Sequence, residues 1–303
     1  MSTTAPSTGP ATQAPFLTGA TTCEMAFRAT ARGYLDQLTA QQKGTAAGDD
    51  TAVHAMRVAL TRLRTTIALF SPMVKAGEQV RLAAELKWLN AHLGIVRDLD
   101  VALERLAKAK LPRSIKDQSW KQERAACQKH LTRALRSLRY RRLIKDLAAW
   151  IANGDWSRKT GKRVAMRRAR LAEDYCSDKL AQWRAKLLKK SRKLKEFGAR
   201  KRHKVRLANK RLTYAIEAAA PWIPSDNAAE RQATLKLLRK AQKSLGQLND
   251  DARYRALAGA LGNGEANGAD LSLKPKQKKS LLRKAVNAYE DIAGLEPPET
   301  PSR

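Results

Sequence analysis

Val53-His54-Ala55-Met56-Arg57-Val58-Ala59-Leu60-Thr61-Arg62-Leu63-Arg64 decides how this chain is read, because its letters sort onto two sides of a helix. At about 100° per residue, His54, Arg57, Thr61 and Arg64 fall within about 80° of one another. Val53, Met56, Leu60, Leu63 and Ile67 take the opposite side, as the core stripe of an amphipathic helix does. The pattern returns at Arg202-His203-Lys204-Val205-Arg206 and runs on through Lys210-Arg211-Leu212. There His203, Arg206 and Lys210 are polar-side residues flanked by Arg211, while Val205, Leu212 and Ile216 stand where Met56, Leu63 and Ile67 stood. Each copy is followed some forty residues later by an expected Leu-Gly turn ahead of an acidic pair, in Leu93-Gly94-Ile95-Val96-Arg97-Asp98 and in Leu245-Gly246-Gln247-Leu248-Asn249-Asp250. Both faces repeat as well as the letters, so one molecule carries two copies of one anion-binding surface. That points to a large anion as ligand.

Charge agrees. The chain holds 60 Lys and Arg against 28 Asp and Glu, a formal charge of +32, which favours polyanionic partners such as nucleic acid, inorganic polyphosphate or an anionic membrane. The excess is concentrated: residues 121–211 hold 31 basic and 7 acidic side chains, so the middle of the chain generates most of the field. Three widely separated cysteines without a C-x-x-C exclude a disulfide framework and a structural zinc site and make a reducing cytosol the default. No apolar run reaches the roughly 20 residues of a membrane span, and the N-terminus lacks a secretory h-region.

Ala, Leu, Lys and Arg dominate and β-branched runs are missing, so the fold class expected is all-α. Eight helical segments are expected, at about 21–43, from Asp49-Asp50 to before Pro72, then about 77–110, 118–152, 161–197, 200–219, 226–262 and 276–293. The first stops near Gly44, and Gly94 is a candidate kink in the third. Four segments followed by four, with matching landmarks, give two tandem four-helix bundles. The expected organisation is a disordered tail over 1–20, a domain over 21–293 with halves at about 21–152 and 161–293, and a second tail over 294–303.

At these residues the chain resembles the CHAD (conserved histidine α-helical domain) family. The match lies in V-H-x-M-R-V-x-x-x-R-L-R with L-G-x-x-R-D-L-D-V at Leu93 to Val101, and in H-K-V-R-L-A-x-K-R-L-x-Y at His203 to Tyr214 with L-G-x-L-N-D. The resemblance implies two four-helix bundles related by a pseudo-twofold, with a basic cavity between them. It also implies binding of inorganic polyphosphate and association with polyphosphate granules in the cytoplasm. The anion-binding set it implies is His54, Arg57, Arg62, Arg64 and Arg97 from the first half, and His203, Arg206, Lys210 and Arg211 from the second, with Lys87, Arg239 and Arg139 alongside. Internal symmetry fails where Thr61 matches Lys210, Arg64 matches Thr213 and Arg97 matches Asn249.

The residue types suit that ligand. A guanidinium forks onto phosphate oxygens and stays charged when partly desolvated, and imidazolium adds a titratable donor. Asp98 and Asp250 are expected to be structural, capping the turn or orienting Arg57 and Arg206 through ion pairs. Metal binding by His54 and His203 is not expected, since neighbouring cations repel a divalent ion and no H-x-x-x-H occurs on either helix. No cofactor or enzymatic activity is expected: no Walker loop, paired magnesium carboxylates or E-x-E-x-K motif of a CYTH-type triphosphatase is found. Nucleic acid is the alternative partner, bound through charge alone, as no helix-turn-helix, zinc finger or RNP-like motif is present.

Overall fold

The computed structural model describes residues 21–75, 77–108, 116–224, 228–260 and 272–295. The expected tail over 1–20, the loop at 261–271 and the segment from 296 onward lie outside them. Gly294 closes the last helix and Leu295 lends its carbonyl to Arg184.

Every regular element among the described residues is a helix. In chain order they are α1 Cys23–Ala40, α2 Gln42–Ala47, α3 Asp50–Leu69, α4 Ser71–Val74, α5 Gly77–Lys108, α6 Lys116–Arg136, α7 Leu138–Asn153 and α8 Asp155–Arg158. They continue as α9 Lys162–Ala169, α10 Ala172–Ser191, α11 Ala199–Ala219, α12 Ala228–Ala260 and α13 Pro275–Gly294. Short 3₁₀ turns stand at Leu194–Glu196 and Ala220–Trp222.

Local chemistry explains the boundaries. Asp49 caps α3 by accepting the Thr51 N–H at 2.9 Å. Gly94 leaves α5 continuous. The segment expected as one helix over 118–152 breaks at Ser137, whose hydroxyl accepts the Tyr140 N–H and starts α7. The segment expected over 161–197 divides at Arg170–Leu171, where the backbone turns extended to bridge Thr22. The first helix stops at Ala40, ahead of the expected Gly44, and the short α2 that follows ends at Gly48, whose φ of +91° suits glycine. Gly44 serves packing: a Cβ there would meet the Ala52 Cβ at 2.8 Å, so α2 lies close on α3 only because that side chain is absent.

Two sets of helices bury their apolar faces. In one, α1 packs on α3 and α7, and α5 on α3, α6 and α7; in the other, α11 packs on α10 and α12, and α13 on α12 and α10. The sets meet where α3 lies on α11 and α5 on α12. The apolar core is continuous through both, from the edge-to-face rings of Phe27, Trp150 and Trp156 to Leu238 and Tyr289. Trp120, Trp150 and Trp156 are buried, as expected of tryptophans on apolar stripes.

The α5–α12 contact is polar and reciprocal. Arg253 of α12 forks onto Asp98 of α5, and Arg105 of α5 donates to Asp251 of α12 at 3.1 Å while lying over the Tyr254 ring. Tyr254 in turn stacks on Trp120 at 5.6 Å. Asp251 is 1% exposed and also takes Lys278 at 3.2 Å and the Leu273 N–H at 2.7 Å. Burial pushes its carboxyl upward, but those donors outweigh it and hold the pKa below the ordinary value. A depressed carboxylate stabilises the fold above its ordinary pKa, and that contribution is lost as pH falls through the depressed one. Asp251→Asn is expected to cost about 3 kcal/mol at neutral pH, since it removes the buried carboxylate on which the part-buried Arg105 and Lys278 converge, and to cost less in acid. Urea midpoints of wild type and variant between neutral pH and acid check this.

Candidate functional site

The two helices singled out by the repeat are the ones in contact. α3 brings His54, Arg57, Arg62 and Arg64, and α11 brings His203, Arg206, Lys210 and Arg211. Val53, Met56, Leu60, Leu63, Val205 and Leu212 are buried on the other side, which fixes the rotation of both helices. These side chains run from part-buried (Arg57, Arg62, Arg206, Lys210) to exposed (His54, Arg64, His203, Arg211).

Electrostatics shows which cations sense each other across the contact. Arg57 has its pKa lowered, first by burial and then by Arg206, Arg97 and Arg253, with Asp98 opposing. Burial, with Arg206 and Arg57 beside it, pushes Lys210 down to about 8, and Asp250 opposes that shift. His54 is lowered by partial desolvation and by Arg97, Lys210 and Arg57. Burial and then Arg211 lower Arg64. Cations of both helices therefore share one region and repel one another there.

The acids position the cations, as expected of Asp98. It lies 3.7 Å from Arg57 and carries Arg253 on its other oxygen, a partner the repeat gives no hint of because Val101 stands at the matching place. Arg97 is engaged by Glu104 at 3.2 Å. In the second copy Asn249 takes the place of Arg97 and its Oδ1 lies 2.6 Å from His203 Nδ1, so the asymmetric position orients an imidazole there. Asp250 accepts from Asn249 and lines, with Asp98, Val101, Ala102, Arg105, Arg253 and Tyr254, a depression over the α5–α12 contact. The Arg206 Nε is buried without a partner, a donor aimed at nothing in the protein.

Other members of the expected set sit further out. Arg62 is clasped between the Tyr34 and Tyr214 rings and pairs with Glu217 at 3.1 Å. Arg239 pairs with the same Glu217 at 3.0 Å. Arg211 lies over Trp183 and is exposed. Lys87 is exposed, and stands three turns from Asp98 on the same face of α5. Arg139 lies apart: it forks onto Glu85 at 2.7 and 3.1 Å and covers the Trp88 ring at 4.3 Å. Glu85 and Trp88 point about 90° or more around α5 from Asp98, so Arg139 faces away from the α3–α11 contact.

Among the described residues no group of His, Cys, Asp and Glu could hold a metal ion, and no helix is long and apolar enough to cross a membrane. The model of the CHAD domain matches residues 29–259, and so spans both His-bearing helices and both Leu-Gly pairs, which lie inside α5 and α12 rather than in turns. The chain belongs to the CHAD family. The crystal structure of the CHAD domain from the plant Ricinus communis is similar over 95% of this chain and 99% of that one, with a TM-score of 0.71 and 24% identity. PptA from Streptomyces chartreusis is similar over 91% and 96%, with a TM-score of 0.53 and 14% identity. At such identities the likeness is one of fold. Among curated proteins none matches the chain.

Proposed function

We propose that this CHAD protein binds inorganic polyphosphate without chemical turnover, in a cationic trough along the α3–α11 contact, and that it does so at cytoplasmic polyphosphate granules. In this reading α1, α3, α5 and α6–α7 form one four-helix half and α10 to α13 the other, related by a pseudo-twofold that sets α3 and α11 side by side along the shared trough. The observation that carries the reading is the gathering of Arg57, Arg206 and Lys210, from helices of different halves, into mutual electrostatic range at part-buried positions. Self-repelling, desolvated cations are unfavourable in the free protein, and a dense, flexible chain of phosphates relieves them.

Nucleic acid is the weaker candidate because the aromatic surface is spent. Trp120, Trp150 and Trp156 are buried, Trp183 and Trp222 pack against the core, and the rings beside the trough, Tyr34 and Tyr214, hold Arg62 and Lys210. Bases would find few platforms to stack on.

Titration with long-chain polyphosphate, duplex DNA and ATP across a range of salt tests the reading. Polyphosphate is expected to bind most tightly at matched phosphate concentration, with log K falling linearly in log salt through counterion release. Failure of polyphosphate to bind at physiological salt, or displacement of polyphosphate by DNA, contradicts it. Arg139→Ala is a charge-matched control: affinity should change by less than about twofold, since screened charge outside the contact adds little. A loss as large as that from a trough arginine would show that overall charge, not the trough, does the binding.

A further inference from the structure

The cationic stripe of α11 ends in an acid. At about 100° per residue, His203, Arg206, Lys210 and Glu217 fall within about 60° of one another. The Glu217 carboxylate is held from two sides, accepting from Arg62 across the α3–α11 contact at 3.1 Å and from Arg239 of α12 at 3.0 Å. Arg62 is also wedged between Tyr34 and Tyr214, and its Nε is buried with no partner. One acid thus absorbs two guanidiniums that stand beside the trough. In the register that sets His54 against His203, the residue matching Glu217 is Ala68, so the first half has no such acid.

We propose that Glu217 is an acidic stop, a specificity-determining residue that closes one end of the trough and limits how much of a phosphate chain the molecule engages. The proposal rests on the polyphosphate reading above. With Glu217 ionised, Arg62 and Arg239 have their charge answered within the protein, and a chain extending past Lys210 meets a carboxylate. Phosphates beyond that point gain nothing, and the pairs hold α3, α11 and α12 together when the trough is empty. A ligand short enough to lie among His54, Arg57, Arg206 and Lys210 does not reach the stop.

Glu217→Gln keeps the shape and removes the charge. Wild type, Glu217→Gln and the double variant Glu217→Gln with Arg239→Ala are titrated with triphosphate and with long-chain polyphosphate over a range of salt. Freeing two cations should steepen the long-chain slope of log K against log salt by about 1.4 and tighten binding by about tenfold at 0.15 M salt. Triphosphate affinity should change by less than about twofold, because the screened site lies beyond its reach. Arg239→Ala on top should remove about half of the added slope. Ala68→Glu is the reciprocal variant and serves if circular dichroism shows Glu217→Gln to be unfolded: an acid at the matching place should weaken long-chain binding and flatten the slope. Equal long-chain slopes in wild type and Glu217→Gln, equal gains for triphosphate and long chains, or no effect of Ala68→Glu each overturn the stop while leaving the polyphosphate reading standing. Wild type that binds no polyphosphate overturns both.

Discussion

Alanine at both Arg57 and Arg206 lowers affinity for long-chain polyphosphate by at least about a hundredfold at physiological salt, on the present account. A hydrogen bond to a charged group is worth about 1.5–3 kcal/mol, so two guanidiniums supply about 3–6 kcal/mol, and each 1.4 kcal/mol is tenfold. The salt slope should flatten by about 1.4, as two phosphate contacts are lost. Stability should move the other way or not at all. Arg57 and Arg206 each depress the pKa of Lys210, so removing them relieves repulsion, and Asp98 keeps Arg253 as its partner. Binding isotherms at several salt concentrations, with thermal melts of the same samples, check both halves of this expectation. A melting temperature that collapses together with affinity would make the two arginines structural.

Proton uptake on binding is the second large effect. Lys210 is pushed down to about 8 in the free protein by burial, Arg206 and Arg57, and His54 is lowered by partial desolvation with Arg97, Lys210 and Arg57. The charged groups facing Lys210 are Arg57 from α3, Arg206 from its own helix and Asp250 from α12, so cations dominate. A bound polyanion answers those cations and raises both pKa values, which means that protons enter with the ligand. Affinity should therefore fall as pH rises above about 8, approaching tenfold per pH unit until the bound-state pKa is reached. Lys210→Arg should flatten that limb, because a guanidinium does not titrate there. Calorimetry in buffers of different ionisation enthalpy reads the uptake directly. Folding has the opposite sign: a lysine with a pKa lower folded than unfolded makes the fold more stable as pH rises from about 8 towards its ordinary value.

Helices were legible wherever one periodicity ran without interruption. The stripe Val53, Met56, Leu60, Leu63 specifies both the existence and the rotation of α3, and the same holds for Val205 and Leu212 on α11. The breaks were harder to see. Ser137 is polar at a place where a continuous helix tolerates it, and its capping role depends on the α6–α7 bend. Gly44 and Gly48 carry the same letter, yet one answers a close helix contact and the other a positive φ, and only three-dimensional proximity separates them.

The candidate site was legible to the extent that it repeats. Duplication marked α3 and α11, and these two helices are packed against each other. The residues that organise the cations were missed because they are not duplicated: Glu217 matches Ala68, and Arg253 matches Val101. Glu217 did leave a signal, as the next charged position on the stripe of His203, Arg206 and Lys210, although an acid ending a basic face reads like an ordinary surface residue. Arg139 illustrates the converse, since charge and family pattern drew it into the set while Glu85 and Trp88 hold it on another face of α5.

The most direct measurement is a crystal structure of the full chain with long-chain polyphosphate. A row of phosphate density is expected along the α3–α11 contact, within hydrogen-bond distance of Arg57, Arg206 and Lys210 together and ending short of Glu217. Phosphate density lying on an outer face, such as that of Arg139, with Arg57 and Arg206 both left out of contact, would contradict it.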